Sequence, residues 1–120
     1  MPSKGLTVTN SRRKGKTGEL EFVNVLKEHG LEARRGQQFK GGDDSPDVIC
    51  EGLPDIHFEV KRREAGNLYD WVEQAVADAA PGKVPIVAHR RSNQEWVAII
   101  PMHDMLRILI LREINSGSKA

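Results

Sequence analysis

The chain predicts an α/β fold, an α+β sandwich with a central mixed β-sheet flanked by helices in the order αβββαββα. Three observations carry this. Apolar residues recur at spacings of three and four before Gly30 and again between Asn67 and Ala80. Short runs in which β-branched and aromatic residues alternate with polar ones lie between and after those segments, separated by Gly and Pro. The 120 residues hold one core and leave no room for a second. Residues 16–115 are therefore expected to form a single domain, with a flexible basic arm at 1–15 and a flexible tail at 116–120.

The arm is polar, carries Gly, Ser and Asn, and lacks periodicity. Thr17-Gly18 opens the first helix, which runs to about Glu28 or His29 and stops at Gly30. Its buried stripe is Phe22, Val23 and Leu26. Glu19 stands three and four residues before Phe22 and Val23, so it lies on the core-facing side of the first turn, whereas Glu21 is rotated away. Leu31 to about Gln37 reads as the first strand, and Phe39 to Asp44 as a loop rich in turn formers. Ser45-Pro46-Asp47-Val48 leads the second strand, and a turn at Glu51-Gly52-Leu53-Pro54 leads into the third. On that third strand Ile56, Phe58 and Val60 point one way, while Asp55, His57, Glu59 and Lys61 point the other.

Asn67 to Ala80 forms the second helix, with Leu68, Trp71, Val72, Ala75, Val76 and Ala79 at helical spacing and Pro81-Gly82 as its stop. Val84 to His89 is an apolar strand, Ser92-Asn93 a turn, and Gln94 to Ile100 a further strand. Pro101 leads into the last helix, with Asp104 near its start. Met105, Leu106, Ile108, Leu109, Ile110, Leu111 and Ile114 nearly encircle that helix, which predicts a homodimer packed through part of its surface.

The net charge is +1 and by itself points to no partner. Its distribution is more informative. Residues 1–18 hold Lys4, Arg12, Arg13, Lys14 and Lys16 with no acid, and further basic groups stand at Arg34-Arg35, Lys61-Arg62-Arg63 and Arg90-Arg91. Acids crowd the stretch from Asp43 to Glu59. A basic surface around an acidic pocket suits a polyanionic substrate and a metal ion. The single cysteine, Cys50, forms no internal disulfide, and no apolar run reaches membrane-spanning length. A cytoplasmic protein with no membrane partner is expected.

Asp47 heads one strand and Glu59 lies on its neighbour, so the two carboxylates can converge. Paired carboxylates repel unless a cation sits between them, and hard oxygen donors favour Mg²⁺. Lys61 shares the face of Glu59 and can reach a water or phosphate held there. A polar strand face is also what any half-solvated sheet presents, and an acid at a helix start also compensates the dipole. Residue pattern alone leaves both readings open.

The runs KGKTGELEFVNVLKEHG, SPDVI, FEVKR and LYDWVEQA resemble the PD-(D/E)XK nuclease superfamily, and within it the archaeal-type Holliday junction resolvases and their phage relatives. The similarity covers roughly Lys14 to Pro101. Glu-x-Lys alone is common; the Lys-Gly-x-x-x-Glu helix start, Pro46-Asp47 and Glu59-Val60-Lys61 in this order and spacing are together specific. The resemblance implies a restriction-endonuclease-like core and a Mg²⁺-dependent, structure-selective DNA endonuclease, with Mn²⁺ able to substitute. Its substrate would be a four-way junction, cut by paired phosphodiester hydrolysis, in a host cell that carries a phage or prophage.

By the same resemblance Glu19, Asp47 and Glu59 match the metal-pocket acids, with the Val60 carbonyl contributing. Lys61 matches the lysine that positions the attacking water and steadies phosphate charge, and Gln74 a glutamine that orients water or lysine. Ser45 is the nearest candidate for a serine before the aspartate, in a loop longer than the archaeal pattern. Arg12, Arg13, Lys14, Lys16, Arg34, Arg35, Arg62, Arg63 and Arg90 are the candidate DNA contacts. Two other readings are a nicking or flap-type endonuclease of the same fold, and a non-cleaving DNA-binding dimer that kept the fold as a scaffold.

Overall fold

Two helices cover opposite faces of a five-stranded sheet, and the sequence explains why each sits where it does. The computed structural model describes residues 4–36 and 46–118. Its elements are α1 (Lys4–Glu28), β1 (Ala33–Arg35), β2 (Val48–Cys50), β3 (Ile56–Arg62), α2 (Leu68–Asp78), β4 (Val84–Arg90), β5 (Val97–Ile99) and α3 (Met102–Ser118), in the expected αβββαββα order. The strands lie in sequence order, with β3 and β4 parallel and every other pair antiparallel. A parallel pair needs a crossover, and α2 supplies it.

The stripe Phe22, Val23 and Leu26 of α1 packs on Ala33, Val48, Cys50, Phe58 and Ala88. Trp71 and Ala75 of α2 pack on Val87. Val87 and Ala88 are successive strand residues and must face opposite sides, so the two clusters are the two faces of one sheet. Asn67 caps α2, its side-chain oxygen accepting from the amides of Tyr69 and Asp70.

Several boundaries differ from the sequence reading. The first helix begins at Lys4, and the stretch expected to be an irregular arm carries helical backbone from there. Gly15, Gly18 and the polar composition mimic a boundary, but no proline lies between Pro2 and Pro46, so nothing forbids the earlier turns. Gly18 serves packing: it lies against β3, where an added Cβ would strike the β-carbon of Arg62. β1 is shorter than 31–37 because Leu31 still belongs to the helix end. Its amide donates to the Leu26 carbonyl while Gly30, at φ 83°, donates to Lys27, a Schellman closure. β5 starts at Val97, since the turn after β4 extends beyond Ser92-Asn93 and Asn93 sits at φ 62°. The last helix continues to Ser118 where a tail was expected from residue 116.

On α3, Asp104 is buried and accepts from Arg107, while Leu106, Leu109, Ile110, Leu111 and Ile114 remain exposed. Among the described residues no helix is long and apolar enough to cross a membrane.

Candidate active site

The antiparallel pairing of β2 with β3 sets Val48 opposite Phe58. Asp47, one residue earlier, therefore lies beside β3 on the face of Glu59. Its amide donates to the Phe58 carbonyl at 3.0 Å, and its Oδ2 accepts from the Val60 amide at 2.8 Å. One oxygen of Asp47 is thus tethered to the strand that carries Glu59.

Glu59 is buried, and its Oε1 lies 2.9 Å from Nε2 of His57, which is also buried. Burial pushes the Glu59 carboxyl above the usual carboxylate range, and the adjacent Asp47 carboxylate adds to this by charge and by hydrogen bonding, against the opposing bond from His57. The first helix brings in Glu19, whose Oε1 accepts from Arg35 Nε at 2.8 Å. Its carboxyl is also raised, first by burial and further by the charge of Asp47, with Arg35 opposing. Glu19 of α1 and Glu59 of β3 therefore each feel the charge of Asp47 at the start of β2.

They do not close into a cage. Among the described residues no three His, Cys, Asp or Glu side chains surround a single point at metal distance, since Glu19 turns to Arg35 and Glu59 to His57. The donor set nevertheless fits a hard divalent ion. Mg²⁺ is commonly held by one or two carboxylates while waters and substrate phosphates complete its shell, and a buried Glu59 in contact with a half-buried Asp47 provides such a pair.

Lys61 lies two residues past Glu59 on the same strand face, and its Nζ donates to Gln74 Oε1 of α2 at 3.0 Å. A groove of about 320 Å³ opens beside it, lined by Gly15, Val60, Lys61, Arg62, Arg63 and Glu64 among others.

The basic residues divide into two groups. Arg34 pairs with Glu51 and Arg35 with Glu19. Arg62 and Arg90 both donate to Glu21 Oε1, at 3.3 and 2.8 Å, and Arg90 also reaches the Gln94 carbonyl. Parallel register places Arg62 beside Arg90, and Glu21 of α1 lies over both. These four arginines are engaged within the chain. Lys16 and Arg63 are exposed, and Arg63 borders the groove at Lys61. The backbones of Arg12, Arg13 and Lys14 lie in α1; their side chains, Ser45 and the 39–44 loop fall outside the described residues.

Sequence reasoning gave no role to Arg35 as the partner of Glu19, to Glu21 as an arginine hub, or to His57. For His57 a signal existed: it stands at i−2 from Glu59 and so shares its face. The Arg35–Glu19 pair depends on how α1 packs beside β1, and the Glu21 hub on the register of β4 on β3 beneath α1.

A family model described as archaeal Holliday junction resolvase (Hjc) matches residues 10–108. Among solved structures, Hjc of Archaeoglobus fulgidus, a Holliday junction resolvase from an archaeal hyperthermophile, is similar at a TM-score of 0.55 and 27% identity, covering 72% of this chain and 72% of that one. No curated protein sequence matches the chain.

Proposed function

The chain belongs to the archaeal Holliday junction resolvase family and is a nuclease that resolves four-way DNA junctions; we propose that it does so with Mg²⁺, replaceable by Mn²⁺, at Asp47 and Glu59. The observation that carries this is the contact of the buried Glu59 carboxylate with the half-buried Asp47 carboxylate, with Lys61 two residues further along the strand and held by Gln74. Phosphodiester hydrolysis needs an in-line water, neutralised phosphoryl oxygens and help for the departing 3′ oxygen. The ion, when bound, supplies Lewis acidity toward the phosphate and lowers the pKa of water.

The chain's own residues supply the rest. Asp47 and Glu59 would present oxygens to the ion, and the Val60 carbonyl and Glu19 would complete the pocket. Glu19 is held through its Oε1 by Arg35, which fixes the carboxylate at the edge of the pocket. Lys61 places a positive charge where the phosphate gains negative charge. Gln74 limits the swing of the Lys61 amine. Lys16 and Arg63, with the basic residues of the first half of α1, track the backbone, so recognition is by junction shape more than base sequence.

Symmetric cutting of two strands requires two sites related by a two-fold axis, and the exposed apolar side chains of α3 offer a self-complementary face for a homodimer. Sedimentation at micromolar concentration should give twice the chain mass. A strict monomer would remove the dimer from the reading.

The decisive assay offers a labelled immobile four-way junction, a flap and a linear duplex at equal concentration, with Mg²⁺ and with chelator. Cutting should be confined to the junction and require the ion. Asp47→Asn and Glu59→Gln should still shift the junction in a gel while cleavage falls about a thousandfold or more, since such an ion contributes several kcal/mol to the transition state. Undiminished cutting by either variant, free of contaminating nuclease, overturns the assignment.

A further inference from the structure

His57 is a buried imidazole on the sheet face that carries the two strand carboxylates, and nothing in the hydrolysis described above uses it. Its Nε2 stands 2.9 Å from Glu59 Oε1. Among the described residues no buried side-chain polar atom lacks a partner, so both buried groups are satisfied as they stand. We propose that His57 is a positioning residue, holding Glu59 by one oxygen through an Nε2–H bond so that the other is presented toward Asp47 and the ion. This rests on the metal-site reading of Asp47 and Glu59 and deepens it.

A glutamate has three side-chain torsions, and burial alone does not choose among its rotamers. Asp47 has its own tether, the Val60 amide on Oδ2. Among the described residues no backbone amide donates to the Glu59 carboxylate, whose side chain lies on the α2 side of the sheet. His57 supplies it from the same strand. Residues i and i+2 of a strand project in parallel from one face, so a ring and a carboxylate of these lengths meet without any movement of the backbone. The partner of β4 opposite His57 is Pro85, which offers neither a side-chain donor nor a competing acceptor. A donor that fixes a ligating carboxylate belongs to the outer shell that orients metal ligands, and losing such a contact typically costs about 10- to 100-fold in metal affinity.

The test compares two amides that differ in reach. In His57→Gln the side-chain NH₂ falls near the position of Nε2; in His57→Asn it stops near Nδ1, short of Oε1. Mn²⁺ binding to the full chain is measured by calorimetry without DNA, beside circular dichroism of each variant. The proposal expects His57→Asn to weaken Mn²⁺ about 10- to 100-fold and His57→Gln to recover most of the loss. Equal affinity of His57→Asn and wild type, or equal loss in both variants, overturns it.

A measurement on the unaltered protein stands beside these, whether or not the variants fold. Long-range ¹H–¹⁵N correlation of the imidazole should find a proton on Nε2, and a bare Nε2 sinks the proposal. Asp47→Asn and Glu59→Gln serve as controls. If they bind Mn²⁺ like wild type, the metal-site reading itself fails; if they lose it while His57→Asn does not, only the role of His57 fails.

Discussion

His57, Phe58 and Glu59 are consecutive and almost equally hidden, at 2%, 5% and 3% exposure, yet the two faces of the sheet use them for opposite ends. Phe58 faces α1 and meets Phe22 edge-on at 5.1 Å, inside a cluster that is apolar throughout. Its burial removes hydrocarbon from water and needs no partner. His57 and Glu59 face the α2 side, where the apolar cluster is smaller and centred on Trp71, Ala75 and Val87. There burial imposes a desolvation cost, visible in the raised Glu59 carboxyl. Burial therefore measures cohesion on one face and chemistry on the other.

The largest effect that would break this contrast belongs to the apolar side. Phe58→Ala removes a ring from a closed core and should cost about 3–5 kcal/mol, a large part of the roughly 5–15 kcal/mol that holds an ordinary domain. Chemical denaturation of the full chain reads it as a lower midpoint with an unchanged slope. A loss under about 1 kcal/mol would mean that the α1 face is loosely packed and that the two faces are not distinct in kind.

How far this contrast was legible in the sequence follows from what each feature depends on. The element order was legible because hydrophobic period is local: Phe22, Val23 and Leu26 mark a helix and the alternation through Phe58 a strand, whatever they pack against. The meeting of Asp47 and Glu59 was legible because two strands joined by a short turn are neighbours. Lys61 near Gln74 was anticipated only through the family resemblance. The engagement of Arg62 and Arg90 with Glu21 was not legible, because it needs the register of β4 on β3 across an intervening helix. Charges that read as a free DNA-binding surface thus proved to be partly internal ties. Helix ends were the least legible, since Gly15 and Gly18 look like stops and Gly18 is instead a point of close approach to Arg62.

The smaller effect belongs to the polar side and has the opposite sign. In the folded, ion-free chain the carboxyl of Glu59 titrates above its ordinary 4.5, because burial and Asp47 disfavour its charge. A carboxyl whose folded value is raised contributes stability below its unfolded value and loses that contribution as pH rises through the folded one. Glu19 is raised as well and acts in the same sense. Ion-free wild type should therefore weaken from this source as pH climbs above 4.5 toward neutrality, while Glu59→Gln escapes the Glu59 share. The amide oxygen of the variant still accepts the His57 bond, so no buried donor is stranded. Thermal melting in chelator should show the two proteins close at pH 4 and the variant ahead by a few degrees at pH 7. Adding Mg²⁺ should narrow or reverse that gap, because the ion binds only the folded wild type and stabilises it by mass action. A wild type that outlasts Glu59→Gln in chelator at neutral pH would show that this carboxylate is held by something better than a neighbouring acid and a single imidazole, and the distinction between the two faces would fall with it.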